Sequence, residues 1–205
     1  MIRAYNEQFM PTVREKLAAM FELAVNFEHL DIDLFASRFV QSRVCRAFEK
    51  ADPVFVLGKS ANELLGLILG IDPPEEESCE FASPEYWVGW VLAYSQWYLD
   101  RPYKELIGAL PCRELLLRYF PYHEMDITKS VWLYSERLPH RCVLREKRKA
   151  LGLNQTELAA LSGVPERTIR SYEQGKVDIA KAQAETLYAL SQILGCTVED
   201  LIRGN

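Results

Sequence analysis

The segment 155–172, QTELAALSGVPERTIRSY, leaves the chain fewer conformational choices than any other part of it. Asn154 followed by Glu157 has the spacing of a capping box, in which each side chain satisfies the other residue's backbone N–H, so a short helix opens here. That helix is expected to bury Leu158 and Leu161, and Ala159 is small enough to let another helix cross closely. Gly163 falls where the chain must turn sharply, a place glycine fills without a Cβ penalty. Val164 is expected to point inward at the turn. Pro165 suits the first position of a second helix, where its missing N–H costs nothing. Ile169 and Tyr172, three apart, would form the buried side of that helix and leave Glu166, Arg167, Arg170 and Ser171 facing outward. Two short helices joined by a glycine turn, the second presenting polar side chains, make a helix-turn-helix.

The flanking positions agree with this reading. Leu144, Arg148, Leu151, Gly152, Leu153, Tyr172, Glu173, Gly175 and Lys176 stand in register around the segment, and Leu187, Leu190, Leu194, Gly195, Val198, Asp200, Leu201 and Ile202 follow it. With these residues the block resembles the phage-repressor and Cro-type DNA-binding domain, the xenobiotic-response-element class of helix-turn-helix. The resemblance implies a five-helix, lambda-repressor-like domain that binds operator DNA as a dimer. It assigns Gln155 to a phosphate at the N-terminus of the first motif helix. It assigns Glu166, Arg167 and Ser171 to base edges in the major groove, with Arg170 nearby. A guanidinium reads guanine O6 and N7 through two parallel hydrogen bonds, and a carboxylate accepts from cytosine N4. Lys176 would lie along the DNA backbone, and Arg145, Lys147 and Lys149 would add longer-range attraction. Arg148 and Glu173 match a partly buried structural ion pair. Pro165 departs from the family, which usually has a small hydroxyl residue there and hence one more phosphate contact.

Charge divides the chain. Residues 1–142 hold 15 Lys and Arg against 21 Asp and Glu, a net −6, while residues 143–205 hold 9 against 8, a net +1. The shift falls at Leu138–Cys142, where Pro139 would end a preceding helix. The expectation is an all-α protein of two domains: an acidic helical domain over 1–138, a linker over 139–142 and the helix-turn-helix domain over 143–205.

The acidic part also reads as helices. After Pro11, Val13, Leu17, Met20, Phe21 and Ala24 recur at three- and four-residue spacing, one stripe of an amphipathic helix. Asp31 would cap a second helix carrying Leu34, Phe35, Arg38 and Phe39. Ser60 with Glu63 fits a capping box before an apolar run to Leu69. Residues 72–78, with two prolines and three adjacent glutamates, read as a solvated loop. Ser83, Pro84 and Glu85 then open an aromatic helix in which Trp87, Trp90, Tyr94 and Trp97 share one face and Val88, Leu92 and Leu99 supply much of the other. Three readings of that helix stand open: a central core helix, a surface for a partner chain or for dimerisation, and an aromatic pocket for a small molecule. Pro102, Pro111 and Pro121 punctuate shorter pieces before a last helix over 126–138.

Composition and spacing argue against several other classes. Five cysteines, none spaced C-x-x-C, fit neither a disulfide framework nor a thiolate zinc site and suit a reducing compartment. His140 and Cys142 lack further ligands, and Gly58-Lys59-Ser60 lacks the earlier glycine of a phosphate loop, so Ser60 is better explained as a cap. The N-terminus lacks the basic start and apolar run of a signal peptide, and 86–99 is too short to span a membrane. The expectation is a cytoplasmic, non-enzymatic regulator with no cofactor or metal, whose partner is double-stranded DNA and whose acidic domain dimerises, regulates or binds a protein. An antitoxin-like protein, gripping a partner through its N-terminal domain while the helix-turn-helix only autoregulates, is the alternative.

Overall fold

In the computed structural model, residues 4–73, 83–138 and 142–203 are described, and their regular structure is entirely helical. They divide between two compact units, one within 2–138 and one within 139–205. Glu75, Glu76, Glu77 and Cys79, and Pro139 with His140, lie outside the described residues.

In the first unit a 3-10 turn leads into α1 (Met10–Glu22), which a π-helical turn extends to Phe27. There follow α2 (Ile32–Gln41), α3 (Arg43–Phe48), α4 (Pro53–Val56), α5 (Ala61–Leu69), α6 (Pro84–Leu99), α7 (Tyr103–Ala109), α8 (Cys112–Leu116), α9 (Tyr119–Tyr122) and α10 (Ile127–Ser135). Local chemistry opens these helices. Asp31 Oδ1 accepts from the N–H groups of Asp33 and Leu34 at 3.0 and 3.1 Å. Ser60 and Glu63 complete both halves of a capping box at 3.2 and 2.7 Å. Ser83 Oγ accepts from Tyr86 N–H at 3.0 Å, with Pro84 in the first turn. Each bond satisfies a donor that a helix start otherwise leaves orphaned.

The core of this unit gathers around α1 and α6. The whole predicted stripe of α1 is buried, and α6 buries Val88, Val91 and Leu92 completely. A helix apolar nearly all round has to be covered on most sides, and α6 is the central one. Gly89 is where it meets α1: a Cβ there would stand 2.7 Å from both Leu17 O and Ala18 Cα. Phe21 meets Phe35 edge to face at 4.9 Å and Phe39 meets Tyr103 at 5.1 Å. Burial pushes the Cys45 thiol up to about 12 and raises that of Cys112 as well, so both stay protonated. Among the described residues no helix is long and apolar enough to cross a membrane.

The second unit holds α11 (Val143–Ala150), α12 (Gln155–Ser162), α13 (Glu166–Glu173), a 3-10 turn at Ile179–Lys181, α14 (Ala184–Leu194) and α15 (Val198–Arg203). These are the five helices expected. Leu144, Leu158, Ile169, Ile179, Leu190 and Leu201 are fully buried at its centre. Each such side chain contributes roughly 1.5–3 kcal/mol relative to exposure, which a unit this small needs from most of its apolar residues.

Candidate nucleic-acid interface

The Asn154–Glu157 capping box is present: Asn154 Oδ1 accepts from Glu157 N–H at 2.8 Å and Glu157 Oε2 from Asn154 N–H at 2.7 Å. It starts α12 three residues after Gly152, whose φ of +71° lets α11 end. At the other end of α12, Gly163 takes φ +71° and its N–H bonds to Ala159 O, so the helix stops within one residue. Val164 drops into the core behind that turn.

Two details differ from the sequence reading. Leu161 is 57% exposed rather than buried. Residues along a helix advance by about 100° each, and the inward face of α12 runs through Leu158, Ala159 and Ser162, so Leu161 stands past its edge. Pro165 occupies the cap and not the first turn. Its ψ of 136° is extended, and its carbonyl accepts from the N–H groups of Thr168 and Ile169 at 2.8 and 3.1 Å.

Behind α13, Glu173 ties three helices together. Arg148 of α11 donates to it from Nε at 2.6 Å and from Nη2 at 3.0 Å, and Gln155 of α12 donates from Nε2 at 2.8 Å. Arg148 Nη1 also donates to Leu153 O at 2.5 Å, and Arg145 reaches the Glu173 carbonyl. Burial alone would raise the Glu173 carboxyl, but these hydrogen bonds and the charges of Arg148 and Arg145 outweigh it and hold the group below its ordinary value. The expected Arg148–Glu173 pair is thus part of a larger joint. Nothing at the level of helix spacing announced Gln155 or Arg145 as further members, because they join it from other elements.

In front, the outward residues of α13 differ in how free they are. Glu166 pairs with Arg170 one turn on and accepts from Thr156 Oγ1 at 2.9 Å. Arg170 Nε lies 3.4 Å from Gln155 Oε1. Glu166, Arg170, Gln155 and Thr156 therefore form one bonded group bridging α12 and α13. The four-residue spacing of Glu166 and Arg170 was a readable signal for half of it. Ser171 Oγ donates to Arg167 O at 2.9 Å, which leaves its lone pairs able to accept. Arg167 is exposed, and among the described residues its guanidinium makes no hydrogen bond or ion pair. Lys176 follows Gly175, which takes φ +66°, and is exposed; Lys149 is exposed on α11. Among the described residues no three His, Cys, Asp or Glu side chains gather closely enough to hold a metal ion.

Residues 144–201 match the helix-turn-helix family, a stretch that covers α11 to α14 and most of α15 and none of the first unit. No curated protein and no solved structure gives a match. The second unit is a helix-turn-helix domain of the DNA-binding, xenobiotic-response-element type.

Proposed function

We propose that this chain is a sequence-specific transcriptional regulator, a repressor that occupies operator DNA as a homodimer and carries out no covalent chemistry on it. The observation that supports this most is the outward side of α13, where Arg167 is uncommitted and its neighbours are held by one another. An unpaired guanidinium on a helix fixed from behind by Glu173 meets the requirement for reading a guanine through two hydrogen bonds. In this reading Ser171 contacts a neighbouring base edge. Glu166 and Arg170 are presented as a pair, so that the carboxylate meets the groove with its charge largely offset. The Gln155 amide nitrogen is engaged by Glu173, so the phosphate contact there falls to the backbone N–H groups opening α12. Lys176 lies along the DNA backbone, and Lys149 and Arg145, the latter engaged at Glu173, add longer-range attraction.

The modest net charge of the C-terminal block is no obstacle. Its two most buried charges, Arg148 and Glu173, cancel each other, whereas Lys147, Lys149, Arg167 and Lys176 are all exposed. A single module of this size makes a small DNA interface, which is the reason to pair two on half-sites about 34 Å apart. The first unit then serves dimerisation or regulation in the cytoplasm. The antitoxin-like alternative draws on Leu117, Phe120 and Trp132, large apolar side chains that are 81%, 71% and 57% exposed on that unit.

The deciding experiment is selection of duplexes from a random pool by the full-length protein, followed by anisotropy titration at low and moderate salt. Saturable binding to the selected site, weakening as salt rises, is expected. Absence of duplex affinity at low salt overturns the proposal, and co-purification of a stoichiometric second protein moves the reading to the antitoxin-like alternative.

A further inference from the structure

The aromatic helix of the first unit does more than fill its core. Tyr86, Trp87 and Trp90 of α6 are only half-buried, and with Tyr119 of α9 and the adjoining His123 they wall a cleft of about 590 Å³. Among the described residues, Glu15 of α1 and Ser83, the cap of α6, complete its lining. The volume falls in the usual range of small-molecule sites, roughly 300–1,000 Å³.

The walls are braced before any ligand arrives. Trp87 meets Tyr119 edge to face at 5.6 Å, and Tyr119 stacks on His123 with centroids 4.1 Å apart and planes 11° from parallel. His123 Nδ1 lies 3.0 Å from Tyr119 O, which sets the imidazole plane. Tyr86 and Trp90 stand 5.9 Å apart on the same helix.

The formal charge that lines the cleft is negative. Aromatic faces carry negative charge density, the carboxylate of Glu15 adds a formal negative charge, and neither lysine nor arginine is among the described lining residues. Behind Ser83 sits Glu22, 5% exposed, whose Oε2 has no hydrogen-bond partner among the described residues. The protein itself already uses this property: the Arg14 guanidinium lies 3.6 Å from the centre of the Trp90 ring. Arg14 also lies within electrostatic reach of Glu15, from the flank of Trp90 and outside the described lining, so the carboxylate and the ring faces are the groups left to meet a ligand. We propose that the cleft between α6, α9 and α1 binds a small organic cation, an alkylated or quaternary ammonium group carried on an apolar body, held against Trp87, Trp90 and Tyr119 and oriented by Glu15. Quaternary ammonium ions suit such a site because they shed water easily and have no donor hydrogen needing a directed acceptor.

The test uses the full-length chain with choline and its uncharged carbon isostere, 3,3-dimethylbutan-1-ol, read by the indole N–H resonances of Trp87 and Trp90, each assigned from its Trp→Phe variant. Choline is expected to shift those two resonances saturably and to bind at least about tenfold tighter than the isostere. Glu15 is exposed on α1, so Glu15→Gln leaves the fold intact and is expected to weaken choline several-fold while leaving the isostere unchanged. Tyr119→Leu is expected to weaken both. Equal binding of choline and the alcohol, shifts confined to Trp97 and Trp132, no saturable shift, or an unchanged choline affinity in Glu15→Gln would each overturn the proposal.

Discussion

Arg167 and Arg170 stand three residues apart on α13 with the same charge, and their guanidiniums have different surroundings. That of Arg170 is bonded to Glu166 and close to Gln155, whereas that of Arg167 is open. Arg167→Ala is therefore expected to cost about 1–3 kcal/mol on the selected site and to relax the preference at one base pair. Lys176→Ala should weaken every duplex alike and lower the salt slope by about one. Anisotropy titrations of both variants on the site and on its single-base variants separate the two, and matching losses across all sequences would reassign the reading residue. Glu173 tests the joint behind them. Its carboxyl is held below the ordinary value, so its contribution is complete above the usual glutamate pKa, about 4.3, and is lost as pH falls through the lower folded value. Glu173→Gln should destabilise the second unit by about 3 kcal/mol at neutral pH, because it strips a buried arginine of its partner, and should flatten that unit's acid-limb loss. Circular dichroism melts between pH 3 and 7 measure this; all four tryptophans lie before residue 142 and do not report on it.

Among the elements, α1 and α6 show how little the local rules say about distance. Each is legible alone: the stripe from Val13 to Ala24 reads as one buried face, and Ser83 with Pro84 reads as a helix start. Gly89 looks like a weakness in a helix, since alanine is intrinsically better there by up to about 1 kcal/mol. In the folded unit it is the point where two backbones nearly touch. Gly89→Ala is expected to lose about 1–3 kcal/mol despite the better propensity, because the added carbon meets backbone that has no rotamer to change. Gly108→Ala in α7, where nothing lies within 4 Å of the new Cβ, should raise stability slightly. Tryptophan-fluorescence melts of the pair check the opposite signs. Leu161 teaches the same lesson from the other direction: three-residue spacing from Leu158 placed it inside, and the true centre of the α12 face left it out.

At the level of the whole molecule, an acidic helical unit with no match accompanies a helix-turn-helix domain whose class was readable in advance. The proposed dimer predicts a sedimentation mass of twice 23.6 kDa at working concentration and one dimer per selected duplex, with half-sites about one helical turn apart. A monomer on a single half-site would contradict it. The sequence alone determined most helix starts, the main inward stripes such as that of α1, and the glycine turn between α12 and α13, though neither the edge of the α12 face at Leu161 nor the place of Pro165. These depend on caps, glycine and periodicity, and so on residues within about four positions of one another. Tertiary structure alone decided which arginine of α13 remains open, how closely α6 approaches α1, and that Glu15, Trp90 and His123 share a cleft. Those outcomes join residues of different helices, from the fifteen positions between Gln155 and Arg170 to the tens between Glu15, Trp90 and His123, where the packing of whole helices sets the distance.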